Sequence, residues 1–241
     1  MITQLKFVLT ALLLCVGVSL GTAADAANKT AKKSKKNNQA DGEWTVLFDG
    51  HSTDKLRGYK MDSFPSDKWV IDGDALRAVP GKSTDLVTKN KFKNFELELE
   101  WKVSKGGNGG VMYRVSEDFD EPWHSGPEMQ IVDDLNHSDG KNPKTSAGSL
   151  YDLIAPNDKK KLNPAGEWNK ARVVFKKKHV EHWLNGEKIL EYDWNSPQLK
   201  GLISQSKFKD KPRFMQEKKG HIDFQHHGQE LWLRNIRIRK V

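Results

Sequence analysis

The amino-acid sequence predicts an all-β protein, folded as a sandwich or a barrel. Hydrophobic and polar residues alternate with a period of two from Trp44 onward, and a helical period of 3.6 is almost absent. Turn-forming pairs separate several of the short apolar runs. Eight Trp and ten Phe among 241 residues exclude an intrinsically disordered chain, since such chains are poor in aromatic residues.

The clearest predicted strand covers residues 95–103, where apolar residues alternate with charged ones. This pattern is typical of an antiparallel strand with one buried and one solvated face. An Asp-Gly pair at 72–73 and an Asn-Gly pair at 185–186 each lie between two apolar runs and predict hairpin turns. A change of phase at 234–235 predicts a β-bulge, and a short helix is expected within 197–207.

The first 27 residues are predicted to be a signal peptide. Lys6 precedes an apolar run that is shorter than the roughly 20 residues of a spanning helix, and small residues follow it. We therefore expect export to the periplasm or the medium, with no transmembrane domain after cleavage. Cys15, the only cysteine, lies within this run, so the mature chain would hold neither a disulfide nor a multi-cysteine zinc site.

Residues 28–42 contain five lysines and no apolar periodicity, which predicts a disordered basic linker before a domain at 43–241. Residues 1–40 carry a net charge of +5 out of the total of +8, so the rest of the chain carries only +3. The basic charge is therefore concentrated outside the predicted domain. Nucleic acid is not an expected partner.

Three predicted strands carry polar side chains that differ from the Lys and Glu of an ordinary solvated face. These residues are Arg114 on the first strand, Glu128 and Gln130 on the second, and His221, Asp223, Gln225 and His227 on the third. Such groups orient hydroxyls and transfer protons, so they predict a functional polar face, with plain surface as the alternative. A glycine-rich segment, 105–110, allows either close approach to its backbone or a flexible connection.

Eight segments stand in a recognisable order: GGNGGVMYR (106–114), GPEMQIVDD (126–134), AGSLYDLIAP (147–156), PAGEWN (164–169), HWLNG (182–186), SKF (206–208), GHIDFQHHG (220–228) and RNIRIR (234–239). Together they closely resemble the 3-keto-disaccharide hydrolase domain family, from about Trp44 to Val241. The resemblance implies a concanavalin A-like jelly-roll β-sandwich of two antiparallel sheets, with a concave face that binds carbohydrate. His226 departs from the family, whose members often carry Asp there, and its position has core-facing parity.

The resemblance also implies a chemistry. The substrate would be a small carbohydrate, a glycoside already oxidised to a ketone at C3 by a partner sugar 3-dehydrogenase. A base removes the acidified C2 proton, and the resulting enolate expels the C1 substituent. Re-addition of water makes the net reaction a hydrolysis, and without water the enzyme is a lyase. The site needs a base, a cation or hydrogen-bond donor at the C3 oxygen, and an acid at the leaving oxygen.

The catalytic candidates under this resemblance are His227, Glu128 and Lys207. His227 is the leading base because imidazole titrates near neutral pH, and Glu128 is the second candidate. Lys207, or alternatively Arg114, would stabilise the enolate oxygen. The substrate-binding candidates are Arg114, Gln130, Tyr151, His221, Asp223 and Gln225, with the two glutamines at sugar hydroxyls and Tyr151 stacking or donating.

A divalent metal ion is a separate possibility, and no other cofactor is expected with certainty. His221, Asp223, Glu128 and His227 are candidate ligands for zinc or a similar ion, because they offer a mixed set of nitrogen and oxygen donors. No compact ligand motif such as H-E-x-x-H is present. A calcium ion in a loop is also possible for such a sandwich, at a position that the sequence does not define.

One alternative is a retaining glycosidase that uses Glu128. The spacing of Glu128, Gln130 and Asp133 resembles the E-x-D-x-x-E frame of sandwich-fold glucanases, with Gln in place of the middle acid. A retaining pair needs carboxyl groups ~5–5.5 Å apart. The competing interpretation of Asp133, Asp134 and Asp139 is local capping of the backbone.

A second alternative is a non-catalytic carbohydrate-binding module. Its sugar-binding face would use exposed aromatic residues such as Trp123, Trp168 or Trp194. Trp168 and Trp183 are expected instead to have structural roles.

Overall fold

The computed structural model describes residues 42–81 and 83–241, which form two antiparallel β-sheets packed face to face. The all-β prediction is therefore confirmed. The predicted signal peptide (1–27) and the predicted linker, apart from Gly42, lie outside the described residues. Within the described part of the chain, no helix is long and apolar enough to cross a membrane.

The larger sheet has eight strands. They are β1 (Thr45–Phe48), β3 (Trp69–Asp72), β4 (Ala75–Ala78), β6 (Phe95–Val103), β9 (Asn169–Lys176), β10 (His179–Leu184), β11 (Glu187–Asp193) and β13 (Leu231–Arg239). Their order is β11-β10-β9-β6-β13-β4-β3, and β1 also pairs with β13. The chain's last strand thus holds the middle of this sheet together.

The smaller sheet has five strands in the order β2-β5-β12-β7-β8. They are β2 (Leu56–Gly58), β5 (Leu86–Thr88), β7 (Asn108–Val115), β8 (Glu128–Val132) and β12 (His221–His226). Short 3₁₀ turns at Pro122–His124 and Asp139–Lys141 and one α-helix, α1 (Pro197–Ser204), lie in the connections. The smaller sheet carries the predicted polar residues.

The predicted turns are confirmed. Gly73 (φ 63°) joins β3 to β4, and Asn185 (φ 48°) with Gly186 (φ 88°) joins β10 to β11. In the turn between β10 and β11, positive φ at both central residues gives a twist that matches the flanking strands. The predicted bulge is also present, because the register of β13 against β6 shifts after Arg234, and Asn235 has a φ of 51°.

The core lies between the two sheets and uses the apolar parity of each strand. The larger sheet contributes Leu97, Leu99, Trp101, Val173, Phe175, Ile236 and Ile238, and the smaller sheet contributes Val111, Tyr113, Met129, Ile131, Ile222 and Phe224. Burial of these side chains is the main stabilising term, at about 25 cal/mol per Å² of apolar surface. It also directs the alternate residues of the smaller sheet away from the core.

One polar network is enclosed within this core. The Tyr113 hydroxyl lies 2.9 Å from His182 Nε2 and 2.6 Å from the Tyr192 hydroxyl, and His182 Nδ1 lies 3.1 Å from the Gly148 carbonyl oxygen. The carbonyl can only accept, so Nδ1 carries the proton of a neutral ring. Burial lowers the pKa of His182 to about 4.

His182 makes the stability of the protein depend on pH. Its folded-state pKa lies below its unfolded value of about 6.5, so its contribution is present above pH 6.5 and is lost as pH falls towards 4. We expect the free energy of unfolding to lose about 2 kcal/mol from this residue between pH 7 and pH 5. Urea unfolding of the wild type and of His182→Gln at both pH values measures this loss.

In the His182→Gln variant the loss over this pH range should be smaller by that amount. His51→Gln, at an exposed position, is the matched control and should keep the wild-type pH dependence. An unchanged pH dependence in His182→Gln would show that His182 is not held neutral in the fold.

Candidate functional site

A cavity of about 350 Å³ opens on the side of the smaller sheet that faces away from the core. Its lining consists of Ser83, Asp85, Glu121, Trp123, Glu128, Asp139, Tyr151, Lys207, Gln225, His226 and His227. Strand alternation brings Glu128 and Gln225 here, because their neighbours Met129 and Phe224 are buried in the core. The cavity thus collects polar side chains from at least five separate segments.

Strand register explains which residues meet. On the side away from the core, which we call the polar face, two rows of paired residues cross the sheet: Val87, Asp223, Met112 and Glu128 in the first, and Gln225, Gly110 and Gln130 in the second. Residues within a row lie side by side on neighbouring strands. Gly110 therefore leaves an open space between Gln225 and Gln130.

The side chain of Glu128 occupies the space above Gly110. A Cβ atom at Gly110 would lie only 2.6 Å from the carboxyl carbon of Glu128. The predicted close approach to the glycine-rich segment is thus made by a side chain of the same chain. Burial raises the pKa of the Glu128 carboxyl to about 8; the positive charge of Lys207 acts in the opposite direction, and Asp85 and Asp139 add to the rise.

Lys207 enters the cavity from the segment that follows α1. Its backbone N–H donates to the Asp152 carboxylate at 2.9 Å, which fixes the segment. Its Nζ lies 4.0 Å from the centre of the Tyr151 ring and 5.6 Å from that of Trp123. The side chain remains exposed overall, yet partial burial of the ammonium lowers its pKa against the attraction of Glu128.

His227 lies just beyond the end of β12, at the mouth of the cavity. Its Nε2 lies 2.9 Å from Oε1 of Gln225. An amide oxygen can only accept, so this contact assigns the imidazole proton to Nε2 and leaves a lone pair on Nδ1. Nδ1 has no hydrogen-bond partner in the described ranges 42–81 and 83–241. Partial burial lowers the pKa of His227, which favours the neutral ring.

Tyr151 and Asp139 form one side of the cavity. The Tyr151 hydroxyl donates to Asp139 Oδ2 at 3.4 Å, and Asn108 Nδ2 donates to the same oxygen at 3.3 Å. Burial raises the pKa of the Tyr151 hydroxyl, and the charge of Asp139 adds to this effect. Tyr151 therefore remains protonated and able to donate a hydrogen bond.

Of the neighbouring acids, Asp133 caps its own loop as predicted, whereas Asp134 binds more distant groups, the Ala147 backbone and Lys160. Asp133 accepts hydrogen bonds from the backbone of Gly106 (2.9 Å) and Leu135 (3.1 Å), and Asp134 accepts one from the backbone of Ala147 (2.8 Å). Asp139 differs, because it faces the cavity as well as its own loop. Local capping alone does not describe its position.

Asp223 and Gln130 lie on the polar face but do not line the cavity. Both are buried, and neither the Asp223 carboxyl oxygens nor the Gln130 amide has a hydrogen-bond partner among the described residues. Burial raises the pKa of Asp223 well above its usual value, and the charges of Asp85 and Glu128 add to the rise. Asp223 is therefore a buried acid on the polar face whose charged form is disfavoured.

Arg114 does not join the polar face, so that expectation was wrong. The register between β12 and β7 shifts beside it, and its φ of 55° marks it as the extra residue of a bulge. Its guanidinium lies 3.5 Å from the centre of the Phe175 ring in the core and donates to the Lys93 carbonyl at 2.8 Å. Arg114 therefore has a structural position.

His221 is also separate from the cavity, at the far end of β12. Its Nδ1 lies 2.6 Å from the Thr88 carbonyl oxygen, and its Nε2 lies 3.4 Å from Glu117, which forms an ion pair with Arg57. The β-bulge and the length of the strand place it beyond the other polar residues. The expected grouping of His221 with Asp223 and His227 is not formed.

The predicted metal-ligand set is likewise not assembled. In the described part of the chain, the group with ligand atoms close enough for one ion is His179, Glu181 and Glu191, on the larger sheet. Lys188 already lies 2.6 Å from Glu191 and 3.4 Å from Glu181 and supplies a positive charge there. A larger cavity of about 580 Å³ beside α1 includes His179 and Glu191 but none of the predicted site residues.

Four residues that line the cavity were not predicted to do so from the sequence: Ser83, Asp85, Glu121 and His226. Asp85 is half-buried, and burial raises its pKa to about 7, while a hydrogen bond with Gln225 acts in the opposite direction. Its sequence signal is weak, because β5 has only three residues and little alternation. His226 has the predicted core-facing contact, with its ring 5.1 Å from that of Trp69, and it also borders the cavity.

Comparison with protein families gives a match over residues 43–239, to the 3-keto-alpha-glucoside-1,2-lyase-like domain. The chain belongs to this family. The match confirms the resemblance found from the sequence motifs, and it covers nearly all of the predicted domain at 43–241.

A named relative and a solved structure support this family assignment. A 3-keto-disaccharide hydrolase from Bacteroides thetaiotaomicron is 40% identical over 231 residues, covering 83% of this chain and 79% of that protein. A crystal structure of a candidate glycosyl hydrolase from Parabacteroides distasonis is 30% identical, with a TM-score of 0.76 over 82% of this chain and 94% of that one.

More distant structures share the jelly-roll fold alone. The endo-β-1,3(4)-glucanase SCLam of family GH16 is 9% identical, with a TM-score of 0.50 over 84% of this chain and 94% of that chain. In this member of the 3-keto-alpha-glucoside-1,2-lyase-like family, the third acid of the glucanase frame, Asp133, binds backbone N–H groups instead of facing Glu128 across the cavity.

The aromatic residues named for a binding module do not form a free platform. Trp194 is buried in the core, and the Trp168 ring has Arg234 at 4.0 Å. Trp123 lines the cavity, but Lys207 and Lys211 lie over its ring at 5.6 and 4.8 Å. Trp183 stacks with Arg172 at 4.7 Å, as expected for a structural role.

The space above Gly110 is predicted to determine the position of Glu128. In Gly110→Ala the new methyl group would overlap the Glu128 carboxyl, which is the mobile end of a long side chain. We expect the fold to persist and the carboxyl to move out of its present position, as measured in a crystal structure of the variant.

Gly201→Ala is the matched control, because no atom lies within 4 Å of its new Cβ. It should leave the site unchanged and raise the melting temperature slightly, because alanine is more favourable than glycine inside a helix. An undisplaced Glu128 carboxyl in Gly110→Ala would contradict this account of the site.

Proposed function

We propose that this protein is a carbohydrate hydrolase that cleaves 3-keto-glycosides by removal of the C2 proton and elimination of the C1 substituent. The observation that carries the proposal is the convergence of His227, Glu128 and Lys207, from three separate segments, on one cavity. Membership of the 3-keto-alpha-glucoside-1,2-lyase-like family and the 40% identical 3-keto-disaccharide hydrolase support the substrate class.

His227 is the proposed base. Its Nδ1 has a free lone pair and its lowered pKa keeps the ring neutral at pH 7, so it can accept a proton from C2. The ketone at C3 makes this proton acidic, and its removal leaves the electron pair in an enolate across C2, C3 and the C3 oxygen.

Lys207 is the proposed partner of the enolate oxygen. Lys207 is the lysine that lines the cavity. Its ammonium lies beside the Tyr151 ring and forms no short ion pair with another described residue. A cation held in a partly buried position stabilises developing negative charge more strongly than it would in water. The hydrogen bond from Tyr151 to Asp139 keeps the nearby ring in place.

Glu128 is better suited to the role of acid than to that of second base. Its raised pKa keeps the carboxyl protonated near neutral pH. When the enolate collapses, the C3 carbonyl re-forms, a C1–C2 double bond forms and the C1–O bond breaks. Glu128 then gives its proton to the departing oxygen, so no alkoxide has to leave.

Water completes a hydrolysis through the same two residues. The Glu128 carboxylate takes a proton from water as its oxygen adds to C1, and the protonated His227 returns a proton to C2. Both side chains recover their starting states, and the product is the free 3-keto sugar. Release of the unsaturated sugar before water adds would make the enzyme a lyase.

The charge of the cavity favours uncharged sugars. Asp85, Glu121 and Asp139 line the cavity with a single lysine, Lys207, so the carboxylate of a uronic acid would meet like charges there. The ketone must come from a separate enzyme, a sugar 3-dehydrogenase. The predicted signal peptide supports a location in the periplasm or the medium.

The direct test is turnover by the purified protein of a 3-keto-glucoside and of the same glucoside without the ketone. We expect aglycone release from the oxidised substrate alone. His227→Ala and Lys207→Met should each lower kcat by about 10²–10⁴-fold, because each removes a proton-transfer or charge-stabilising group. His51→Ala, at an exposed position, should retain wild-type turnover.

Other outcomes would contradict the proposal in identifiable ways. Equal turnover of the unoxidised glucoside would favour a conventional glycosidase. Binding of both sugars without turnover would favour a binding module. Wild-type activity in His227→Ala would remove His227 as the base.

The role of Glu128 predicts a pH dependence. As pH rises through about 8 the carboxyl ionises and can no longer donate, so kcat/KM should fall on the alkaline side. In Glu128→Gln the rate should be lower, and this fall should disappear. A pH–rate profile of both proteins tests the assignment. If kcat/KM of the variant still falls at alkaline pH, the fall belongs to another group, such as the Lys207 ammonium.

A further inference from the structure

We propose that Asp85 is a positioning residue that acts through the Gln225 amide to hold the imidazole proton of His227 on Nε2. The inference rests on the proposed function, in which Nδ1 of His227 is the base. Asp85 itself would not touch the reacting atoms through this role. Its effect would be to select which ring nitrogen keeps the lone pair.

The strand register places Asp85 directly beside Gln225. Strands β5 and β12 pair at Val87 with Asp223 and at Leu86 with Phe224, so the next position along pairs Asp85 with Gln225. Both side chains line the same cavity. Gln225 pairs on its other side with Gly110, which has no side chain and whose space the Glu128 carboxyl occupies.

The ionised form of Asp85, which dominates above its pKa of about 7, determines the orientation of this amide. A carboxylate can only accept, so the part of Gln225 that forms a hydrogen bond with it is the amide nitrogen, Nε2. The amide oxygen then points the other way, towards His227 Nε2 at 2.9 Å. The imidazole must donate in this contact.

Gln225 alone would not select the tautomer of His227. A neutral imidazole nitrogen can donate to the amide oxygen or accept from the amide nitrogen, so either orientation of Gln225 satisfies the contact. The backbone N–H of His227 donates to the Asn108 carbonyl at 3.1 Å, which holds the main chain but not the ring proton. Asp85 supplies the missing asymmetry, as carboxylate partners do for other functional histidines.

Asp85→Asn is the decisive variant, because it keeps the side-chain shape but can both donate and accept. At pH 8, where Asp85 is mostly ionised, we expect ¹⁵N NMR of the full-length wild type to show His227 as the Nε2–H tautomer, with its signals assigned by their loss in His227→Ala. In Asp85→Asn both tautomers should be populated. With a 3-keto-glucoside, kcat should fall about 10- to 100-fold while KM changes less than about twofold.

Asp120→Asn is the matched control. It removes the same charge from a nearby side chain that is 99% exposed, and it should leave the tautomer and kcat unchanged. A wild-type tautomer in Asp85→Asn would overturn the proposal.

A second variant tests the route of the effect. Gln225→Leu removes both hydrogen bonds, so both tautomers of His227 should again be populated. Adding Asp85→Asn to Gln225→Leu should cause no further loss of kcat. An equal loss of kcat from Asp85→Asn in both backgrounds would overturn the proposal, because Asp85 would then act independently of Gln225. If the wild type fails to turn over the 3-keto-glucoside, the proposed function fails, while the tautomer spectra still decide the inference about Asp85.

Discussion

Removal of carboxyl groups from water on the polar face is the constraint on which the site depends. Glu128 and Asp223 are buried and Asp85 is half-buried, and burial raises the pKa of all three. The charge of Asp85 adds to the rise at Glu128 and Asp223, and the charge of Glu128 adds to the rise at Asp223. With its pKa raised to about 8, the Glu128 carboxyl stays protonated at neutral pH and can donate a proton, whereas Asp85, with a pKa of about 7, is partly ionised. Lys207 lines the same cavity and supplies its positive charge, so a proton donor and a positively charged group lie in one site.

The same constraint has a cost in stability. The Asp223 carboxyl and the Gln130 amide are buried without hydrogen-bond partners in the described part of the chain, which typically costs about 1–3 kcal/mol for each group. The aromatic and aliphatic core between the sheets offsets this cost. Sites of this kind often give up stability for function, which fits the location of these groups on the polar face.

Strand alternation was enough to predict the sheets and to place Glu128, Gln225 and His227 on the side away from the core. It failed for Arg114, because one extra residue in a bulge reverses the direction of a side chain, and such a bulge has no clear sequence signal here. Asp85 was missed since its importance arises from pairing with a strand about 140 residues away. Lys207 was found through the family motif, because its segment has no periodic pattern.

The central claim is that the C2–H bond breaks during turnover, and a substrate deuterated at C2 tests it most directly. The 3-keto sugar released by the wild type in ordinary water would be analysed at low conversion by mass spectrometry, with spontaneous exchange measured beside it using His227→Ala. The account predicts that deuterium at C2 slows aglycone release as a primary isotope effect, and that the label is lost from the product to the extent that the His227 ring exchanges its proton with solvent before returning one to C2. Product that retains its deuterium and is released at the same rate as from the undeuterated substrate would contradict the account and would indicate direct hydrolysis at C1.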